Sequence, residues 1–371
     1  MHVEALRLRG FRNLHCLDLN NLSDTVIVRG ANGHGKTNLL EALYLCATGR
    51  SFRRARPRDL LQHGAQQALV SGVFSHNGVR HQIDIAITAE RREVRLDDRL
   101  VRQPSRLLQV INVVAFFPDD LRIAKGSPEE RRHFLDRLVA SHFSDFVDTA
   151  LAYGLALRSR NALLRAPAPP PRDLLNVYDE QLIQHGSHLH ERRVEAMQSV
   201  GPVAEAFFAR IMGAPVRLDV NLSSGVAEQA GLSYAESFRL GLEKNFRRDC
   251  ALHQTTCGPH RADLLLAIDR LDARTFASQG QQRAMVLALK LAEVKTVGQR
   301  FSATPILLLD DVSSELDVER NGLLFQAIDA LQGQLWVSTT GATPLGLKRT
   351  GRVLEVHDGY VQTVTTSGGN I

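Results

Sequence analysis

The sequence predicts an α/β fold: a P-loop head with a mixed sheet built from both ends of the chain, and a mainly helical arm domain inserted between them. Three observations predict it. Gly30-Ala31-Asn32-Gly33-His34-Gly35-Lys36-Thr37 is a glycine-rich loop ending in Lys-Thr, placed between an apolar run and a helical pattern. From about Ser127 to about Asn245 the pattern is helical with few strand signals. The last third returns to short apolar runs separated by helical stretches. The expected division is a head of residues 1–118 and 246–371 and an arm of residues 119–245.

Leu6 and Leu8 alternate with Arg7 and Arg9, and Leu17 and Leu19 alternate with polar neighbours, the period of a half-buried strand. Val26-Ile27-Val28 is unbroken and apolar, as in a strand covered on both faces. Asn38 to Leu45 then reads as a helix, with apolar residues three and four apart. Ile83, Ile85 and Ile87 alternate with Asp84 and Ala86, and Val110 to Phe117 is a buried-strand candidate ended by Pro118. Ser127-Pro128-Glu129-Glu130 starts a helix, with Ser at the cap, Pro at the first position and Glu three residues after the Ser.

Pro167, Pro169, Pro170 and Pro171 mark a turn or loop between two long helices. Helical periodicity resumes from Leu182 to Met212, and Val216, Leu218 and Val220 suggest a short strand. In the last third, Leu264 to Ile268 and Ile306 to Leu309 read as strands of the head, with a helix from Ser278 to about Val297 between them. Leu335 to Thr340 is a further strand, and Val353 to Val361, turning at Asp358-Gly359, is a hairpin.

Bulk properties narrow the function classes. The 371 residues are 44% hydrophobic and 23% charged, ordinary for a folded domain. A net charge of +5 permits a polyanionic partner without requiring one, but Arg50, Arg53, Arg54, Arg56 and Arg58 crowd into one short stretch that would attract phosphate. The four cysteines lack the pairing expected of a disulfide framework or a structural zinc site. With no apolar h-region at the start and no apolar run of membrane-spanning length, a cytoplasmic chain without a membrane partner is expected.

The chemistry concentrates at three places. In the loop, Gly30, Gly33 and Gly35 let successive backbone N–H groups turn inward toward phosphate oxygens; Lys36 can reach the β and γ phosphates and Thr37 can offer its hydroxyl to Mg²⁺. The run Ile306 to Leu309 delivers Asp310 and Asp311 at its end, one carboxylate suited to the metal and one to orienting or activating an attacking water; an apolar strand ending in two solvated acids would look the same. Ser278-Gln279-Gly280-Gln281-Gln282-Arg283 opens a helix whose free N–H groups and dipole suit an anion, although a plain N-cap has the same residues.

The order of these motifs, followed by Ser313-Ser314-Glu315-Leu316-Asp317, resembles that of ABC ATPases. The resemblance implies two chains sandwiching two ATP molecules, with Ser278, Gly280 and Gln281 of one copy completing the site formed by Gly30, Ala31, Asn32, Gly33, His34, Gly35, Lys36 and Thr37 of the other. By the same resemblance Asp317 faces across the interface, and Thr339 or Thr340 stands where many ABC proteins have a switch histidine. Asp311 replaces the usual glutamate and Gln279 the first signature glycine, departures that suit a slow, timed clamp better than a motor. Phe116-Phe117-Pro118-Asp119-Asp120-Leu121 occurs where a lobe-junction glutamine is usual.

The stretch between Lys36 and Asp310 is far longer than a transporter ATPase has and too short for the long coiled coil of SMC-type proteins. Within this class the chain resembles the RecF family of bacterial recombination mediators. The resemblance is carried by Gly10-Phe11-Arg12-Asn13-Leu14, Asn38-Leu39-Leu40-Glu41-Ala42, Gly49-Arg50-Ser51-Phe52-Arg53, Phe117 to Leu121, Gly126-Ser127-Pro128, Gly258-Pro259-His260-Arg261-Ala262-Asp263 and Ser278 to Arg283. In that family Asp311 and Gln279 are the normal residues. The resemblance implies an ATP-dependent homodimer that binds single-stranded and double-stranded DNA at gaps and junctions. It also implies that the dimer works with RecR and RecO to place recombinase, supporting repair, replication restart and the SOS response.

Arg53, Arg54 and Arg56 are the candidate DNA contacts, a solvated basic loop being the alternative. Few aromatic residues (6%) favour contacts to the phosphate backbone over base stacking. His260 is either near the nucleotide or a structural turn histidine. Two other functions stay open from the sequence: a soluble ATPase subunit of a transporter, and a structural DNA clamp that binds ATP without turning it over.

Overall fold

The computed structural model describes residues 1–103, 105–166, 171–312, 318–341, 347, 349 and 351–364. Its elements begin with β1 (His2–Phe11), β2 (Leu14–Asn20), β3 (Thr25–Arg29), α1 (Lys36–Thr48), β4 (Gln67–His76), β5 (Val79–Thr88), β6 (Arg92–Leu96), β7 (Arg99–Leu100), α2 (Ser105–Val110) and β8 (Val113–Phe116). There follow α3 (Arg122–Lys125), α4 (Pro128–His142), α5 (Asp145–Leu164), α6 (Arg172–Met212), β9 (Leu218–Ser223), α7 (Tyr234–Leu252), β10 (Asp263–Ile268), β11 (Leu271–Asp272) and α8 (Ala273–Phe276). The chain ends with α9 (Gln279–Phe301), β12 (Ile306–Leu309), α10 (Val318–Asp329), β13 (Leu335–Thr339), β14 (Arg352–His357) and β15 (Tyr360–Val364). Two units result: residues 1–121, 203–217 and 278–371 form the first, and residues 122–202 and 218–277 the second.

The first unit holds two sheets. In one, the strand order among the described residues is β15-β14-β3-β13-β12-β8. From β14 to β8 every neighbouring pair is parallel, and β15 adds an antiparallel edge. All residues of β12 and of β13 are buried; β12 reads as an unbroken apolar run, whereas β13 ends in the buried polar Ser338 and Thr339. Because β3, β13, β12 and β14 run the same way, their C-terminal ends share one edge, where α/β folds place their ligands.

The second sheet, β2-β1-β4-β5-β6-β7, is antiparallel, and it alternates: in β5 Ile83, Ile85 and Ile87 are buried while Ala86 and Thr88 are exposed. Helix α1 packs against β1, β4 and β5 of this sheet and against β8 and β13 of the parallel one. Leu39, Leu40, Ala42, Leu43, Leu45, Cys46 and Ala47 are accordingly buried all round it.

In the second unit, Ser127 caps α4 as expected. Its Oγ accepts from the Glu130 N–H at 3.3 Å, and its own N–H donates to Glu130 Oε2 at 2.7 Å. The strand β10 corrects an expectation. Leu264 to Ile268 does not join the parallel sheet; it pairs antiparallel with β9 and β11. Leu264, Leu266 and Ile268 are buried while Leu265 is half exposed, so one face of the strand is wet, a fact that five consecutive apolar residues conceal.

Residues 246–277 consequently fall with the second unit and 203–217 with the first, a division that differs from the expected 1–118 and 246–371 against 119–245. The boundary between the units falls within the continuous helix α6, after Pro202, which has no N–H for a helical hydrogen bond. Pro167, Pro169 and Pro170 lie outside the described residues; Pro171 immediately precedes α6.

A buried cation organises the second unit. Arg160, fully buried, donates to Asp179 Oδ1 at 2.5 Å, Asp249 Oδ2 at 2.8 Å and Thr255 Oγ1 at 2.9 Å, joining α5, α6 and α7. Asp249 is equally buried and also accepts from the N–H and hydroxyl of Thr256. Arg160→Met leaves that carboxylate without its cation and is expected to lower the unfolding free energy by about 3–5 kcal/mol in chemical denaturation. A loss below about 1 kcal/mol, the range of an exposed pair, would refute this account of the unit.

Candidate nucleotide-binding site

The glycine-rich loop leaves β3 at Arg29 and enters α1 at Lys36. Its glycines are required one by one. A Cβ on Gly30 would collide with the carbonyl oxygen of Val356, and Gly35 sits at φ 118°, where a Cβ would also press on Asn13. Gly33, at φ 84°, faces open space. Gly35 is the N-cap of α1 and offers no side chain, so the first N–H groups of the helix remain available to an anion.

Lys36 folds back over this loop. Its Nζ donates to the carbonyls of Gly30 at 2.7 Å and Ala31 at 3.0 Å, with Asn32 Oδ1 at 3.4 Å. Burial lowers the pKa of the ammonium, against the opposing pull of Asp311 and Asp310. Those two acids are therefore neighbours of the loop lysine, as the motif order predicts.

Thr37 makes the link explicit. Its hydroxyl donates to Asp310 Oδ2 at 2.8 Å, while the Ser338 hydroxyl donates to Asp310 Oδ1 at 2.6 Å. The Ser338 oxygen in turn accepts from the N–H of Asp311 at 2.9 Å. Asp311 has φ 51°, a left-handed conformation uncommon for a residue with a Cβ and enriched at functional sites. Burial raises the pKa of Asp310; the hydrogen bonds from Ser338 and Thr37, and then Arg53, oppose the shift. A threonine hydroxyl beside a buried carboxylate is an all-oxygen donor set, which fits Mg²⁺.

A second carboxylate was not singled out as functional from the sequence. Glu41 is fully buried on α1, and its oxygens accept from Arg12 at 2.9 and 3.0 Å, Ser51 at 2.6 Å and Arg53 at 3.2 Å. Arg53 also donates to Asn38 Oδ1 at 2.8 Å. Its guanidinium is thus engaged with the loop helix, although Arg53, like Arg54 and Arg56, is exposed. The available signal was a glutamate inside a helix with apolar residues on every side, which must be paired if that helix is buried. Asn13 is the other omission: its amide donates to the Gly33 carbonyl at 3.2 Å and accepts from Asn38 at 2.8 Å.

Ser278 caps α9, the alternative that its sequence leaves open. Its Oγ accepts from the Gln281 N–H at 3.2 Å, and its N–H donates to Gln281 Oε1 at 2.8 Å. A Cβ on Gly280 would collide with the Arg320 guanidinium. Lys36, Thr37, Asp310 and Asp311 are brought together; Ser278, Gly280 and Gln281 make no hydrogen bond to the loop among the described residues. Asp317 lies outside the described residues, and Thr339 accepts through its hydroxyl from Gly341 at 3.3 Å.

His260 belongs to the second unit and is structural there. The Tyr153 hydroxyl donates to its Nδ1 at 2.6 Å and its Nε2 donates to the Thr255 carbonyl at 3.0 Å, while burial lowers its pKa to about 4.

Comparison with known proteins gives this geometry its family. The RecF/RecN/SMC N terminal domain family matches residues 2–356. The DNA replication and repair protein RecF of Myxococcus xanthus is 37% identical over 369 residues, 97% of each chain. The chain belongs to the RecF family. RecF of a Geobacter species is 35% identical over 342 residues, covering 92% of this chain and 93% of its own.

Among solved structures, the recombination mediator protein RecF-ATPrS in the RecFOR pathway superimposes with a TM-score of 0.88 at 26% identity, over 98% of both chains. An Smc head bound to the C-winged helix domain of ScpA gives 0.57 at 18% identity over 98% of this chain and 97% of its own, a likeness of fold alone. The chain therefore has the ABC/SMC-like ATPase fold. Among the described residues no helix is long and apolar enough to cross a membrane.

The raised pKa of Asp310 has a measurable consequence in this RecF-family head. Between the ordinary carboxylate value of 3.8 and the raised one, the folded chain holds a proton that the unfolded chain has released, so stability falls as pH rises through that window. Asp310→Asn removes the charge and keeps an acceptor for Thr37 or Ser338. Without nucleotide the variant should melt at or above the wild-type temperature at pH 7, the gap closing as pH drops below the carboxylate range. A variant that melts well below wild type at pH 7 would mean that the charge stabilises the fold.

Proposed function

We propose that this chain is a DNA-binding ATPase of recombinational repair that dimerises on ATP. The observation that carries the reading is the hydrogen bond from Thr37 to Asp310, which joins the glycine-rich loop to the acid pair of β12 inside a RecF-type head. The loop N–H groups and Lys36 would hold the triphosphate of ATP. Thr37 and Asp310 would hold Mg²⁺, which supplies charge neutralisation at the phosphates. Asp311 orients the attacking water and accepts its proton, with its main chain held by Ser338. Lys36 exchanges the loop carbonyls for phosphate oxygens.

Ser278, Gly280 and Gln281 act on the nucleotide of a second copy, so ATP joins two heads. By family likeness the ATP-bound dimer works on single-strand gaps and duplex junctions with RecR and RecO, in replication restart and the SOS response. Particle size measured with ATP and a gapped duplex should double for the wild type and stay monomeric for Ser278→Arg. A wild type that remains monomeric rules out the shared site. Lys36→Met should abolish a slow, DNA-stimulated ATP turnover; turnover absent from the wild type as well would leave the passive clamp as the function.

The arginine stretch contributes to DNA binding through Arg54 and Arg56. Since Arg53 is engaged with Glu41 and Asn38, the double variant Arg54→Gln/Arg56→Gln tests the contact. It should reduce the slope of log affinity against log salt by about 2, one for each phosphate lost. An unchanged slope excludes both residues from the interface.

A further inference from the structure

We propose that His34, His357 and Asp358 form a binding site for a first-row transition metal, Zn²⁺ foremost, that ties the glycine-rich loop to the terminal hairpin. The three side chains each present one ligand atom, and these atoms all lie within 4.8 Å of one another. His34 Nδ1 is 3.5 Å from Asp358 Oδ1, and His357 Nδ1 is 3.5 Å from Asp358 Oδ2. Tetrahedral ligands at about 2.1 Å from a metal are about 3.4 Å apart, and each imidazole already lies near that distance from one of the two Asp358 oxygens. The two imidazoles meet edge to face with centroids 4.8 Å apart, and rotation of the exposed His357 and Asp358 side chains would set two nitrogens and one carboxylate oxygen around a metal.

The backbone holds this arrangement. Strand β14 runs parallel to β3 with Glu355 opposite Arg29, which brings His357 and the loop to the same sheet edge. The Gly359 N–H donates to the His34 carbonyl at 3.1 Å, the His15 N–H donates to the Gly359 carbonyl at 3.3 Å, and the Asp358 N–H donates to His34 Nδ1 at 3.2 Å. That last bond turns the Nδ1 lone pair toward the Asp358 main chain, so a metal would displace this hydrogen bond or take His34 Nε2 instead. Gly359, at φ 80°, packs so tightly on the Asn13 carbonyl that a Cβ could not be placed there. The ligands are thus set on a scaffold that is already ordered, which lowers the cost of binding.

Two nitrogens and one carboxylate oxygen select Zn²⁺, Ni²⁺, Co²⁺ or Cu²⁺ over Mg²⁺. The site is therefore chemically separate from that of Thr37 and Asp310. A bound metal would brace the loop against the hairpin, giving the ion a hold on the segment that carries Lys36.

The test is titration of the full chain with Co²⁺ alone, without nucleotide or Mg²⁺, followed by visible absorption, with Zn²⁺ as competitor. Wild type should bind one Co²⁺ that Zn²⁺ displaces. His357→Ala and Asp358→Asn, both on the hairpin, should each weaken binding roughly tenfold or more, and His34→Gln/His357→Ala should abolish it. Circular dichroism and melting of each variant establish that it is folded. Absence of a Co²⁺ band in the wild type, or equal binding by the folded double variant, overturns the proposal.

Discussion

The buried carboxylate of Asp310 is the constraint on which the head is arranged. It takes a hydrogen bond from Thr37 at the start of α1 and another from Ser338 in β13, so three segments remote in sequence converge on one pair of oxygens. Convergence follows from the parallel register. Leu309 lies opposite Val337 and Phe116, and Val337 opposite Ile27, so the residues just beyond these positions emerge at one edge of the sheet. Burial holds the charge of Asp310 at a cost that two hydroxyl donors only partly offset, and a divalent cation at the same oxygens would remove that cost. The tension in the isolated head and its affinity for a metal-bound phosphate have one origin.

Glu41 extends the same logic one turn further along α1. Four side-chain hydrogen bonds from Arg12, Ser51 and Arg53 satisfy it, and each donor comes from a different place: the β1–β2 turn, the segment after α1, and the start of the arginine stretch. The helix carrying Lys36 and Thr37 is thereby fixed on both sides. A basic stretch that looks uniform in the sequence is divided by this carboxylate: Arg53, Arg54 and Arg56 are all exposed, but the Arg53 guanidinium is tied to the loop helix.

What the sequence disclosed follows from what kind of order each element has. The loop, the acid pair and the cap at Ser278 are local patterns whose spacing is itself the chemistry, and the structure places Lys36, Thr37, Asp310 and Asp311 together. Strands buried on both faces, β3, β12 and β13, were legible from their apolar stretches Val26 to Val28, Ile306 to Leu309 and Leu335 to Val337. Leu264 to Ile268 has the same appearance with a different partner, since composition cannot tell a strand with one wet face from a strand with none when the wet residue is leucine. Glu41, Arg12 and Asn13 were opaque for a related reason: their roles depend on which chain segments fold over them, and a glutamate in a helix ordinarily faces water.

Ser278 shows how far a single chain can account for the site. Its hydroxyl and N–H are both spent on Gln281, a reciprocal cap that is complete without a ligand, yet it stands exposed at the positive end of a 23-residue helix. On the loop side, Lys36 is held by the carbonyls of its own loop, so the cation is never left buried and unpaired. Each half is therefore stable by itself, and neither needs the other in order to fold. In the proposed dimer, an anion bound between two such self-satisfied halves would be shared by the loop of one head and the capped helix of the next.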